Sequence, residues 1–259
     1  MNLNPIKVSI ITPSFNQGQF IEQTIQSVLN QSYDNIEYII IDGGSTDNTL
    51  DILNKYKDKI DVVISEKDKG QSDAINKGFK ISSGTLVGWL NSDDILHPDC
   101  VRKIVELYSE KPDGVIYYSS NFNVIDAEGN FIKKATVKIP DRNYLLNIRY
   151  DVVQPGSFYL LEQVKKNGYL DETIFYCMDL DLWLKLLSDK KIYYINDDIS
   201  YASFRLYSTT KTATGGSDFL KNIRSVLLKY KANPVSPNIR KTYVEQLKLF
   251  VKKLIHYSK

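Results

Sequence analysis

Residues 91–94, Asn-Ser-Asp-Asp, end the apolar run Leu86, Val87, Trp89, Leu90. Adjacent carboxylates at the end of a buried strand repel each other and call for a positive species nearby. Asp93 and Asp94 are hard oxygen donors. Few protein ligands with open positions suit Mg2+ or Mn2+, with phosphate oxygens filling the rest. Such an ion would hold a diphosphate and stabilise it as a leaving group. A second use stays open for the pair: carboxylates favour the positive dipole end of a following helix.

Three further polar clusters carry similar chemistry. They are Thr12 to Asn16, Asp42 to Asp47, and Glu66 to Asp73. Asp42, at a strand end, can accept hydrogen bonds from a nucleobase N–H or a ribose hydroxyl. Gly43 and Gly44 have no side chains, so a ligand could approach the backbone there. The spacing is neither a phosphate-loop nor a dinucleotide fingerprint. "TPSFNQGQ" contains no Lys or Arg, which disfavours a nucleotidyltransferase that grips a triphosphate.

The elements that must position these clusters follow from periodicity. "VSIIT", "EYIIID", "DVVIS", "TLVGWL" and "GVIYYS" read as strands. Between them, "QFIEQTIQSVLNQ", "STDNTLDILNKYKD", "QSDAINKGFKIS" and "PDCVRKIVELYSE" read as helices. Ser45 or Thr46 is the expected N-cap of the second helix, and Pro98 opens the fourth. The pattern predicts an α/β fold, a mostly parallel sheet with helices on both faces. All four polar clusters then fall at carboxyl ends of strands, where open parallel sheets bind ligands. The second half is irregular. It has an expected hairpin around Glu128-Gly129-Asn130, an extended "VVQPGSFYLL", a helix over "DLDLWLKLLS" and a strand at "KIYYIND". A helical tail runs from about Lys221 and breaks near residues 234–237.

Bulk properties narrow the class. The chain has 259 residues, 42% hydrophobic, with formal net charge +2, so no whole-molecule charge points to nucleic acid. Cys100 and Cys177 are far apart and read as reduced thiols. No charged start precedes an apolar leader, and no stretch approaches eighteen apolar residues, so neither secretion nor a membrane span is expected.

The segment from "VSIITPSFNQGQF" to "IIIDGGSTDNT", together with "GQSDAINKGFKISSGTLVGWLNSDD", resembles the start of an inverting family 2 glycosyltransferase with the Rossmann-like GT-A fold, of the bacterial cell-surface polysaccharide type. "QPGSFYL" and "LDETIFYCMDLDLWLKL" resemble its acceptor-side half. The resemblance covers roughly residues 6–215 and implies a domain over 1–215. Residues 1–120 would bind the nucleotide sugar, 121–215 the acceptor, and 216–259 would form a helical extension. It implies that Pro13 and Phe15 border a nucleobase, usually uracil, with Asp42 as the base-binding carboxylate and Asp73 near the ribose or base. Asn91 and Ser92 would face the nucleotide. Asp93 would be the principal Mn2+ or Mg2+ ligand and Asp94 its neighbour. Many members carry Asp where Asn91 stands, so Asn91 is expected to contact ribose or a metal-bound water.

The acid pair that supplies the general base in the family is Met178-Asp179 here, so the base role maps onto Asp179. An apolar neighbour such as Met178 should raise its pKa. Asp181 reads as helix N-terminal stabilisation and Trp183 as core. In "SFRLYSTTKT" a histidine position is taken by Tyr207, and Arg205 and Lys211 are candidates for diphosphate contact.

The implied partners are a nucleotide-diphosphate sugar, UDP-linked by the resemblance, and a glycan or lipid-linked acceptor, with no nucleic acid. The implied setting is cytoplasmic, with peripheral contact at the inner face of the membrane left open. In the tail, Val244, Leu247, Val251, Leu254 and Ile255 share one helical face, with Arg240, Lys241, Lys248, Lys252 and Lys253 mostly off it. Residues 238–259 could pack on the domain, form a homodimer contact or lie on a membrane. The competing reading is a nucleotide-sugar-binding protein with weak or no transfer activity. A processive synthase is disfavoured, since no "QxxRW"-type segment follows Asp179.

Overall fold

The computed structural model describes residues 6–257. In chain order the strands are β1 (Val8–Ser14), β2 (Ile36–Asp42), β3 (Val62–Ser65), β4 (Leu86–Trp89), β5 (Ile95–Leu96), β6 (Gly114–Ser119), β7 (Asn121–Ile125), β8 (Phe131–Thr136), β9 (Ser157–Leu160), β10 (Lys191–Ile195) and β11 (Ala202–Arg205). The helices are α1 (Ile21–Leu29), α2 (Thr49–Tyr56), α3 (Gln71–Ile81), α4 (Cys100–Glu110), α5 (Arg142–Asn147), α6 (Leu161–Lys166), α7 (Met178–Leu186), α8 (Lys211–Thr214), α9 (Gly216–Lys229) and α10 (Pro237–Tyr257).

The main sheet has the order β10-β6-β9-β4-β1-β2-β3. In it β9 is antiparallel to both neighbours and the other pairings are parallel. Every residue of β1, β4 and β6 is buried, as expected of strands covered on both faces. Alternate residues serve opposite faces. Val8, Ile10, Tyr38 and Ile40 cluster with Ile21 and Ile25 of α1, whereas Ile11, Ile39 and Ile41 cluster with Ile75 and Phe79 of α3. The glycine inside α3 has a packing reason: a Cβ on Gly78 would lie 2.5 Å from Ile11 Cγ2. Trp183 is fully buried in this second cluster and donates to the Tyr159 hydroxyl at 3.1 Å. It is core, as its spacing suggested.

Some boundaries differ from expectation. α2 starts at Thr49, behind Asn48. Ser45 does not cap it, because its hydroxyl donates to Asp42 Oδ1 and accepts from the Asn16 amide. α4 starts at Cys100, so Pro98 lies outside it, and Asp99 rather than Asp94 occupies the cap position. The expected hairpin is β7–β8, with Gly129 at φ +91° in its turn. It joins a second sheet of order β5-β11-β7-β8. The tail is less separate than expected: Ile223, Val226 and Leu227 of α9 belong to the main apolar cluster.

Arg205, the last residue of β11, ties the two sheets and α1 together. It is 1% exposed. Its Nε donates to Asp93 O at 2.8 Å and its Nη1 to the Asp126 and Ala127 carbonyls at 3.1 and 2.9 Å. Its Nη2 donates to Gln23 Oε1 at 2.7 Å. The guanidinium lies 4.9 Å from the centroid of the Phe20 ring. A planar fork with fixed donors is required here, and an ammonium cannot reproduce it. Arg205→Lys should therefore cost about 3 kcal/mol through buried unpaired carbonyls. Thermal unfolding should show a midpoint about 6–12 °C lower. An unchanged midpoint with weakened nucleotide binding would return Arg205 to the ligand.

Candidate active site

A cavity of about 430 Å³ opens at the carboxyl ends of β1 and β4. Of the residues expected at the site, Pro13, Phe15, Asn91, Ser92, Asp93, Asp179 and Lys211 line it. β1 delivers Pro13 and exposes Phe15 just beyond its end, and β4 delivers the Asn91–Asp93 turn. α7 carries Asp179 in its first turn, and Lys211 opens α8. Asp42, Asp73, Asp94 and Arg205 lie outside the cavity wall.

Each of those four has a structural task. The Asp42 carboxylate is fully buried. Its Oδ2 accepts from the Gly44 and Ser45 amides at 3.1 and 3.0 Å and from Ser65 Oγ at 2.7 Å. It thus organises its own loop, and no oxygen is presented to a base. The glycines beside it admit protein rather than ligand: a Cβ on Gly43 would meet Asp68 Oδ2 at 2.5 Å. Asp73 accepts from the Lys69 amide at 3.0 Å and lies 3.7 Å from Lys77 Nζ, closing the entry to α3. Arg205 is the buried tie described above, with its guanidinium donors directed at carbonyls and an amide, so it is not placed for a diphosphate.

Asp94 is also fully buried. Its Oδ1 accepts from the Arg205 amide at 2.9 Å and its Oδ2 from Asn91 Nδ2 at 3.2 Å. Burial, then the adjacent Asp93 charge, pushes its pKa well above the usual carboxylate range. As folded, Asp94 is a loop anchor and not a ligand to an ion in the cavity.

Asp93 remains as the acid of this motif that faces the cavity. Burial raises its pKa, against the Tyr207 hydroxyl, which donates to Asp93 Oδ2 at 3.0 Å. Tyr207 itself packs on Phe20, with ring centroids 4.9 Å apart. Among the described residues, no three His, Cys, Asp or Glu side chains converge as a metal site. One outward carboxylate fits a hard cation that takes most of its ligands from a bound diphosphate. Asn91 lines the cavity, and its amide is already engaged. It donates to Asp94 and, at 2.9 Å, to Gln154 Oε1, and accepts from Gln71 Nε2 at 2.9 Å.

Asp68 and Asp179 are the other acids in the wall. Burial raises the Asp179 pKa to about 6, against the Leu180 amide hydrogen bond at 2.8 Å and the Lys211 charge. The direction is the one expected beside Met178, which also lines the cavity. Burial lowers the pKa of Lys211, partly offset by Asp179. Lys211 Nζ donates to Gln71 Oε1 at 2.9 Å and stands 4.3 Å over the Phe175 ring. Asp181 points away. It is fully buried, accepts from Lys229 Nζ at 2.8 Å and the Tyr230 hydroxyl at 3.0 Å, and so fastens α9.

Sequence reasoning missed Gln71, Gln154 and Phe175 as lining residues. Gln154 opens the quoted "QPGSFYL" segment, and its Nε2 donates to the Trp89 carbonyl at 2.7 Å. Phe175 is 59% exposed; the sequence signal available was an aromatic pair, Phe175-Tyr176, just before an acidic helix start.

Comparisons with known proteins bear on the family and the fold. Residues 9–166 match the family described as Glycosyl transferase family 2. An uncharacterized glycosyltransferase of Rickettsia typhi is 29% identical over 219 residues, covering 80% of this chain and 66% of that protein. The putative teichuronic acid biosynthesis glycosyltransferase TuaG of Bacillus subtilis is 42% identical over 113 residues, 42% of this chain and 44% of TuaG. Among solved structures, S. aureus TarS 1–349 in complex with UDP-GlcNAc superposes with TM-score 0.68 at 18% identity, covering 94% of this chain and 72% of that one. A longer TarS chain is covered over only 43% of its length, so this chain spans part of several of its relatives. The mostly parallel α/β fold and the matched segment together place the chain in glycosyl transferase family 2.

Proposed function

We propose that the protein transfers a sugar from a nucleoside-diphosphate sugar to an acceptor hydroxyl, with inversion at the anomeric carbon. One observation carries the proposal: a single cavity contains both an outward carboxylate suited to a diphosphate-bound cation, Asp93, and a carboxyl with pKa of about 6, Asp179. A pKa near working pH is what a general base requires.

In this reading Pro13 and Phe15 border the base. Asp93 holds a divalent ion, Mn2+ or Mg2+, whose chemistry is to neutralise the departing diphosphate. Lys211 adds positive charge on the same wall. The acceptor oxygen attacks the anomeric carbon opposite the diphosphate. Its proton passes to the Asp179 carboxylate as the carbon–oxygen bond to phosphate breaks, and the nucleoside diphosphate leaves. The buried Asp179 also explains why Met178 is tolerated in place of a second acid: an apolar neighbour keeps the base weakly solvated and hence more basic. A UDP-linked donor is favoured by the fold neighbour TarS, solved with UDP-GlcNAc, and a manganese requirement by PcManGT of Pyrobaculum calidifontis, solved with GDP-Man and Mn2+. TuaG, named for teichuronic acid biosynthesis, favours a glycan acceptor.

The test is a screen of UDP-, GDP- and dTDP-sugars with and without Mn2+, read as nucleotide release. Release should vanish with EDTA and return with Mn2+. Asp179→Asn should lower turnover about 10³-fold while UDP affinity, by calorimetry, stays within about threefold because the base does not bind the nucleotide. Nucleotide binding without turnover for any donor would favour the binding-only reading. The pH profile is a second check. The base works ionised, so kcat/KM should rise with slope one below pH about 6 and level off above it. A profile flat from pH 5 to pH 8, roughly, would remove Asp179 from the base role.

A further inference from the structure

Helix α10 has two faces of different character. Its inner face is held to the domain. Asn238 Nδ2 donates to the Leu145 carbonyl at 2.8 Å, Ile239 and Thr242 are buried, and Gln246 Nε2 donates to Ser217 Oγ at 2.8 Å. The ordinary packing expected for this helix therefore accounts for its inner side alone.

The outer face is apolar and uncovered. Tyr243, Val244, Leu247, Phe250 and Val251 are 44–63% exposed. At about 100° per residue they fall within an arc of roughly 120°. Single exposed apolar residues are ordinary, but five on one arc form a patch that calls for a partner. Leu254 and Ile255 of the expected stripe lie outside the residues whose side chains are described.

Charge on this face selects the partner. Arg240 falls within the arc, and Lys248 and Lys252 lie about 40° and 80° beyond one edge. Along the other, Arg224 of α9 stands 4.0 Å over the Tyr243 ring. Glu245, paired with Lys248 at 2.7 Å, is the one acid in α10. A second copy docked symmetrically on this face would set one basic surface against another, which is repulsive. An anionic lipid surface matches both features. The apolar arc enters the headgroup boundary, and the long basic side chains reach phosphate at its edges. None of the described helices is long and apolar enough to cross a membrane.

We infer that the outer face of α10 docks the protein on an anionic membrane surface, lying in its plane. This goes beyond the transfer reaction and does not depend on it. The test is flotation of the full chain with phosphatidylcholine vesicles, with or without about 40 mol% phosphatidylglycerol. The wild type should float with the anionic vesicles at least about tenfold more than with neutral ones, and less in ~0.5 M NaCl. Leu247→Glu with Phe250→Glu should reduce flotation about tenfold or more, as should Lys248→Glu with Lys252→Glu. All four positions are exposed, so thermal midpoints should match the wild type. The inference is overturned if the wild type stays unbound, or if both variants float like it. It is equally overturned if light scattering shows a dimer that the Leu247/Phe250 variant dissolves while vesicles bind neither form, since a second copy would then cover the face.

Discussion

Two neighbouring carboxylates at the end of a buried strand can coexist only if their charges are met by something other than water. In this fold the requirement falls on Asp94, which has no exposure. Its partners are the Arg205 amide, 111 residues further along the chain, and the Asn91 side chain. The Arg205 guanidinium holds the Asp93 carbonyl in the same turn. The turn that presents Asp93 to the cavity is thus completed by β11, from the opposite half of the chain. A turn built this way draws its hydrogen bonds from both halves of the chain.

The same arrangement recurs at the start of α7. Asp179 and Asp181 are two residues apart on one helix. Asp181 is buried against Lys229 and Tyr230, and Asp179 is left to the cavity with a raised pKa. In each acidic pair one carboxylate is bound into the framework and its neighbour faces the ligand space. Environments that differ this much are how two chemically identical groups acquire different tasks. The framework member matters to the chemistry indirectly, because it sets where the other one points.

Much of the fold was legible because its signals are periodic. The strands from β1 to β4 are continuous apolar runs, and α1, α3 and α4 repeat at helical spacing, so type and order followed directly. β5 has two residues, and β11, α5, α6 and α8 have four to six. Segments that short show no period, and long-range pairing decides them. Convergence on one cavity was legible where position decided it: Phe15 and Asp93 follow strand ends and Asp179 a helix start, and all three line it. Asp42, Asp73, Asp94 and Arg205, expected there as well, lie outside the cavity wall. Residue type cannot separate a carboxylate that faces a ligand from one that anchors its own loop. For Arg205 the deciding partners, Gln23 and Asp126, are 182 and 79 residues away. Gln71, at the start of α3, and Gln154, in a loop, gave no signal because neutral amides are common in both settings.

The asparagine that opens the Asn-Ser-Asp-Asp turn then has a physical explanation. Lys211 donates to Gln71, Gln71 to Asn91, and Asn91 to both Gln154 and Asp94, while Gln154 reaches the Trp89 carbonyl. The chain of bonds runs from α8 across the cavity wall to the end of β4. It needs at position 91 a group that accepts on one side and donates on the other. An ionised aspartate accepts only. It would lose the bonds to Gln154 and Asp94 and add a third negative charge beside a carboxyl that burial already disfavours in its charged form. Asparagine is therefore the residue that allows Asp94 to be buried and Asp93 to remain the single outward acid of the turn.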